Sequence, residues 1–212
     1  MNKTLIITGG KINEQFLVEE VKQNYETIIA VDKGLETALK LNIKINHIIG
    51  DFDSVSKGPG HCDTLGIRIH KLNPEKDFTD THMALKLAIE LESTDISIIG
   101  WNGTRMDHVL GNVQIMKEAL EQNVKCRLIN ETNEVQLINK KTIIEKDSNY
   151  QYLSLIPLTT RAKGITLKGL KYLLSDAEIS TGETIGISNE IVKKTASIDI
   201  KEGILILIKS KD

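Results

Sequence analysis

The chain has 212 residues, 40% of them hydrophobic, and its 27 basic and 29 acidic side chains give a formal net charge of −2. That length buries a real core in one large domain or two small ones. The near balance of charge, with no long basic run, excludes nucleic acid and an anionic membrane surface as expected partners. The opening MNKTLIITGGK carries an apolar run too short for a signal-peptide core or a spanning helix, and it reads as a buried first strand. Cys62 and Cys126 have no partner at the spacing of a zinc or redox motif, which suits a reduced, cytoplasmic setting without a disulfide.

From residue 3 to about 130, short β-branched runs alternate with segments of helical period. The predicted strands are TLIIT, TIIAV, HIIG, IRIHKL, ISIIG and CRLIN. Between them, GLETALKLN and THMALKLAIELE place apolar residues three and four apart, so each buries one helical face on a sheet. A further helix opens at Arg105, with Met106, Val109, Leu110, Val113, Met116 and Leu120 as its apolar stripe. The pattern predicts an α/β domain over residues 1–130, doubly wound and mainly parallel in the Rossmann-like manner. After Asn130 the helical period stops, and EVQLI, TIIE, YLSLIPL, GITLKGL, EIS, ASIDI and GILILI read as seven short strands. Residues 131–212 therefore predict a small all-β sandwich.

Ligands of open parallel sheets bind beyond the carboxyl ends of the strands, where loops meet helix amino ends and their free N–H groups. The loops expected there are Gly9-Gly10, Asp32-Lys33-Gly34, Gly50-Asp51-Phe52-Asp53-Ser54, Lys76-Asp77-Phe78-Thr79-Asp80, and the run from Gly100 to His108. Asp51 and Asp53, two apart in extended chain, can face one way with Cα atoms roughly 6.5 to 7 Å apart. Such a pair suits magnesium, which takes carboxylate, phosphate and water oxygens; the tripeptide alone suits a solvated turn equally well. Asp77 reads as a cap for a helix beginning near Phe78, with Asp80 complementing the helix dipole, and both remain open as metal ligands. Lys76 is placed to offset a phosphate charge or to sit in solvent. GWNGTRMDH offers two glycines and then Arg105, a phosphate cradle without the Walker A or G-x-G-x-x-G pattern. Among the five histidines only His108, beside Asp107, falls in a site loop, and Trp101 either stacks on a ligand ring or fills the loop's own core.

The strings IIGDFDS, EKDFTDT, GWNGTRMDHVLGN and GISNE, in that order, resemble the thiamine pyrophosphokinase family, with SLIPLT and GITLKGLKYLL extending the likeness through the β-rich half. The resemblance implies transfer of a diphosphate group from ATP to the hydroxyl of thiamine, giving thiamine diphosphate and AMP, in a cytoplasmic homodimer with active sites at the subunit interface. It implies that Asp51, Asp53 and Asp80 bind Mg2+ and that Asp77, Thr79, Arg105 and Asp107 take the remaining nucleotide-side positions, Asp77 and Asp107 being candidates to accept the hydroxyl proton. Asp32, Lys76, His108 and Asn112 fall in the motifs that would hold ATP, and Ser188 and Asn189 in the segment that would hold thiamine. Many relatives read Ala-Asp-Gly-Gly where this chain has Val31-Asp32-Lys33-Gly34, so Lys33 either meets phosphate or restricts the loop. Two other readings stay open: a different magnesium-dependent phosphotransferase or pyrophosphohydrolase, and a non-catalytic nucleotide or thiamine-phosphate sensor.

Overall fold

Why the first half folds as a sheet is visible in β1 (Lys3–Ile7), where Leu5, Ile6 and Ile7 are all buried. A strand buried on both faces needs an unbroken apolar run, and each Leu or Ile so buried contributes about 1.5 to 3 kcal/mol. The computed structural model describes residues 2–50, 66–71 and 77–212; Asp51, Asp53 and Lys76 lie outside the described residues. The chain divides into two units, Met1–Glu131 and Thr132–Asp212.

In the first unit β1 pairs in parallel with β2 (Thr27–Val31) on one side, followed outward by β3 (His47–Gly50) and β4 (Arg68–Lys71). On its other side lie β5 (Asp95–Ile99) and β6 (Lys125–Ile129), also parallel. The strand order β4-β3-β2-β1-β5-β6 thus reverses between β1 and β5. Leu5, Ile7, Ile28, Ala30 and Ile48 form one core with Leu17 of helix α1 (Glu14–Val21) and with Leu35 and Ala38 of α2 (Gly34–Lys40). Side chains alternate along a strand, so Ile6, Ile29 and Ile49 face the opposite way. There α3 (Asp80–Glu90) lies across β1, β2 and β3 with Ala84, Leu85 and Ala88 buried, while α4 (Met106–Glu121) packs on β6 and on α3. The helices cover both faces, and all six predicted strands are present.

Two expectations need correction. Helix α3 begins at Asp80, not near Phe78, and its cap is Thr79 rather than Asp77: Thr79 is extended, and its hydroxyl accepts the His82 N–H at 3.2 Å. In α4 the buried residues are Asn112, Met116 and Ala119, whereas Met106 and Leu110 are 63% and 58% exposed. The helix is rotated from its apolar stripe because Asn112 has a partner inside, described below. Sequence reasoning also passed over α1, whose start is marked by Asn13 Oδ1 accepting the Phe16 N–H at 3.1 Å.

On the sheet, His47 is 6% exposed and its Nδ1 lies 2.9 Å from Nε2 of His70 on β4. Burial, then the charges of His70 and Arg68, push the His47 imidazole below its usual value of 6.5. The unfolded chain therefore binds a proton that the folded chain resists, so stability is present above pH 6.5 and is lost as pH falls through the folded value. His47→Gln is expected to flatten the pH dependence of denaturant unfolding across that window. An unchanged slope would remove His47 as its source.

All seven strands expected after residue 131 form. In the second unit β7 (Asn133–Ile138), β13 (Leu205–Ser210) and β9 (Tyr152–Pro157) make one antiparallel sheet. A second antiparallel sheet runs β11 (Ala177–Ser180), β10 (Arg161–Lys168), β12 (Thr195–Asp199) and β8 (Thr142–Glu145). Leu153, Leu155, Leu205 and Leu207 of the first share one core with Ile165, Leu167, Ile179 and Ile198 of the second. An α/β unit followed by an all-β unit is the observed class.

Candidate active site

Where the strand order reverses, the loops after β1 and β5 continue to pair beyond the strand ends. Thr8 N–H donates to Ile99 O at 2.8 Å, Gly10 N–H to Gly100 O at 3.0 Å and Lys11 N–H to Asn102 O at 2.6 Å. No side chain fits between them: a Cβ on Gly10 would lie 2.0 Å from Gly100 O. Gly100 itself has φ +75°, a conformation open to glycine at little cost. Beyond this seam opens a cleft of about 840 Å³, at the carboxyl edge where open sheets bind ligands.

The loop after β2 brings Asp32 and Lys33 to the cleft. Asp32 takes the left-handed conformation (φ +49°), which aspartate tolerates better than most residues. Lys33 is then ordinary right-handed helix (φ −63°), so a side chain there costs the loop nothing. Its worth as a restriction disappears, and Lys33 simply adds a cation to the cleft. The carboxylate of Asp32 lies against Gly50, 3.0 Å from where a Cβ on that glycine would stand.

From α3 come Asp80, in the first helical turn, and Thr81; both line the cleft, whereas Asp77 and Thr79 are exposed and outside it. The helix amino end favours a negative charge at Asp80. Among the described residues no group of three potential metal-ligating side chains converges. The acids on this edge, Asp32 and Asp80, are hard oxygen donors of the kind magnesium takes.

The loop after β5 contributes Trp101, Asn102, Gly103, Thr104 and Arg105, and α4 adds His108 and Asn112. Trp101 is buried, 8% exposed, at the wall of the cleft, and its Nε1–H has no hydrogen-bond partner among the described residues. Asn112 is buried and donates from Nδ2 to the Trp101 carbonyl at 2.7 Å. Its role is to fix the loop on the helix, which explains the rotation of α4. Arg105 Nε and Nη2 donate to Asp107 Oδ1 and Oδ2 at 3.2 and 2.5 Å, and Asp107 Oδ1 also accepts the His108 N–H at 3.0 Å. The Arg105 hydrogen bond, foremost, holds the Asp107 carboxyl below the usual carboxylate range, and that bond raises Arg105 in turn. A carboxylate so held is a weak base. Asp77 and Asp107, the two residues expected to accept a proton, are not among the residues lining the cleft, although Asp107 is bonded to Arg105, which is.

Helices α3 and α4 are tied together by one carboxylate. Glu118 receives His82 Nε2 at 2.8 Å and Lys86 Nζ at 2.9 Å. Burial opposes ionisation of Glu118, but the bonds from Lys86 and His82 outweigh it and keep its carboxyl below the ordinary range. Sequence reasoning missed this clamp and Lys11, which also lines the cleft.

In the all-β unit, Asn189 is buried with its amide committed: Oδ1 accepts the Tyr172 and Glu190 N–H groups, each at 2.9 Å, and Nδ2 donates to Tyr172 O at 2.7 Å. Ser188 beside it is exposed and left-handed (φ +58°), its N–H donating to Ser154 Oγ at 3.0 Å. Of the two, Ser188 is the exposed one.

An α/β unit that gathers carboxylates, cations and close-packed glycines at the carboxyl edge of its strands, followed by an all-β unit, defines a class built for small-ligand chemistry. Two family models match in that order: the thiamin pyrophosphokinase catalytic domain over residues 18–128 and the thiamin pyrophosphokinase vitamin B1 binding domain over residues 140–205. The thiamine pyrophosphokinase of Bacillus subtilis is 38% identical over 209 residues, 98% of each chain. The crystal structure of a Bacillus subtilis thiamine pyrophosphokinase matches with a TM-score of 0.88 and 33% identity, covering 99% of both chains. The yeast thiamin pyrophosphokinase structure shares the fold with a TM-score of 0.81 at 19% identity, over 99% of this chain and 86% of that one. The chain belongs to the thiamine pyrophosphokinase family.

Proposed function

We propose that the protein transfers a diphosphate group from ATP to the hydroxyl of thiamine, releasing thiamine diphosphate and AMP. What carries this reading is family membership over the whole chain together with the cleft at the β1–β5 reversal. The α/β unit is the ATP and magnesium side, in a Rossmann-like doubly wound arrangement that its strand reversal supports. The β unit is the thiamine and dimerisation side, with Ser188 the exposed one of its two candidate residues. The exposed apolar residues Tyr172, Leu173, Ile185 and Ile187 support a homodimer with active sites at the subunit interface. The cytoplasm is the proposed location; no helix among the described residues is long and apolar enough to cross a membrane.

Magnesium would be held by Asp80 together with Asp51 and Asp53, where it supplies charge neutralisation for the polyphosphate oxygens. The chain's own contribution is positioning. The seam between the β1 and β5 loops leaves backbone close to the ligand, Asn112 fixes the Trp101 loop, and Asp107 fixes the Arg105 guanidinium at the mouth of α4. A loose transition state needs little proton abstraction, which agrees with a cleft whose lining acids among the described residues are Asp32 and Asp80.

Mass-spectrometric analysis of protein, ATP, magnesium and thiamine tests the reading. Thiamine diphosphate and AMP are expected in equal amounts, with no AMP when thiamine is omitted and no turnover after chelation of magnesium. ADP as the nucleotide product, or ATP cleavage without thiamine, would replace the reading by single phosphoryl transfer or pyrophosphohydrolysis; ATP binding without turnover would favour the sensor.

A further inference from the structure

The cations of the cleft are unequal. Arg105, which the sequence marks as the phosphate ligand, gives two of its N–H groups to Asp107, so its charge is already partly answered. Lys11 and Lys33 line the same cleft, are exposed, and enter no ion pair or side-chain hydrogen bond among the described residues. They stand on the loops after β1 and β2, and those loops touch: a Cβ on Gly9 would lie 3.2 Å from the Lys33 Cβ. The Lys11 backbone is pinned from the other side by its 2.6 Å hydrogen bond to Asn102 O. Two ammonium groups without a partner among the described residues thereby stand on adjoining loops beside the strand reversal.

A polyphosphate carries several negative charges, and carboxylate-held magnesium meets only some of them. Lysine is a compact point charge on a long stem, suited to phosphate oxygens where no fixed planar geometry is imposed. We propose that Lys11 and Lys33 bind the polyphosphate chain of the nucleotide, so that this protein recognises its phosphate donor through a lysine pair while Arg105 remains tied to Asp107. The proposal rests on the reading of ATP as co-substrate.

Both side chains are exposed, so Lys11→Met and Lys33→Met should leave the melting temperature unchanged. Steady-state kinetics of the full-length variants should show KM for ATP raised about five- to tenfold by each substitution, with kcat within about twofold and KM for thiamine unaltered. Inorganic tripolyphosphate, which has no base or ribose, should compete with ATP, and its inhibition constant should rise in parallel. Lys33→Arg should restore most of the loss. The double variant keeping its ATP KM and tripolyphosphate inhibition, or a rise confined to thiamine, would overturn the assignment. If the wild-type protein makes no thiamine diphosphate, the proposed function fails by itself, and calorimetric binding of tripolyphosphate decides the lysines: retained wild-type binding that the double variant loses upholds them, and its persistence in that variant sinks them.

Discussion

Asp80→Asn is expected to lower kcat for thiamine diphosphate formation by roughly two to three orders of magnitude, the range found when one preorganised electrostatic contact to a transition state is removed. Asp80 is part-buried in the first turn of α3 and lines the cleft, so its charge acts where water is partly excluded. Asparagine keeps the shape and removes only the charge. The helix loses a favourable dipole interaction of about 0.3 to 1 kcal/mol, too little to unfold a unit whose Ala84, Leu85 and Ala88 stay buried. The concentration of magnesium giving half-maximal rate should rise at least about tenfold if Asp80 is one of the proposed carboxylate ligands. Turnover within about tenfold of wild type, at unchanged magnesium dependence, would take Asp80 out of the metal set.

Which parts of this edge were legible in the sequence follows from physical range. Strand burial is a local property, so TLIIT and ISIIG announce β1 and β5, and the strand pattern places their loops on one edge. Side-chain commitments are not local. Leu110 is more apolar than Asn112, yet Asn112 is inside because the Trp101 carbonyl satisfies its amide. Residues two apart do not face each other within a helix, which hides the Arg105–Asp107 pair; it forms because Arg105 precedes α4 in extended conformation (φ −97°). Which residue of the loop after β2 takes the left-handed conformation is likewise invisible in the sequence: Asp32 carries it, and Lys33 is ordinary right-handed backbone. Lys11 belongs to no motif, and only the pairing of the β1 and β5 loops shows that it faces the cleft.

Gly10→Ala is expected to do the most damage to the fold of any single methyl added to the cleft. The new Cβ would lie 2.0 Å from Gly100 O and 2.4 Å from Asn102 O, both backbone atoms that no rotamer change can move. Those carbonyls are also the acceptors for Gly10 and Lys11 N–H, so making room means separating the β1 and β5 loops and losing both hydrogen bonds. Overpacking of this kind costs at least about 3 kcal/mol, or a fall of roughly 6 to 12 °C in melting temperature for a chain of this size. Because the seam positions Lys11 and the Trp101 loop, KM for ATP should rise at least about tenfold in whatever fraction folds. Gly111→Ala supplies the opposite sign: its Cβ meets nothing within 4 Å and it lies inside α4, where alanine is favoured over glycine by about 1 kcal/mol. Thermal unfolding and ATP kinetics on the two variants should therefore diverge, Gly111→Ala melting a few degrees higher with unchanged KM. Wild-type melting and wild-type KM in Gly10→Ala would mean that the two loops are not held in contact, and the cleft would have to be built another way.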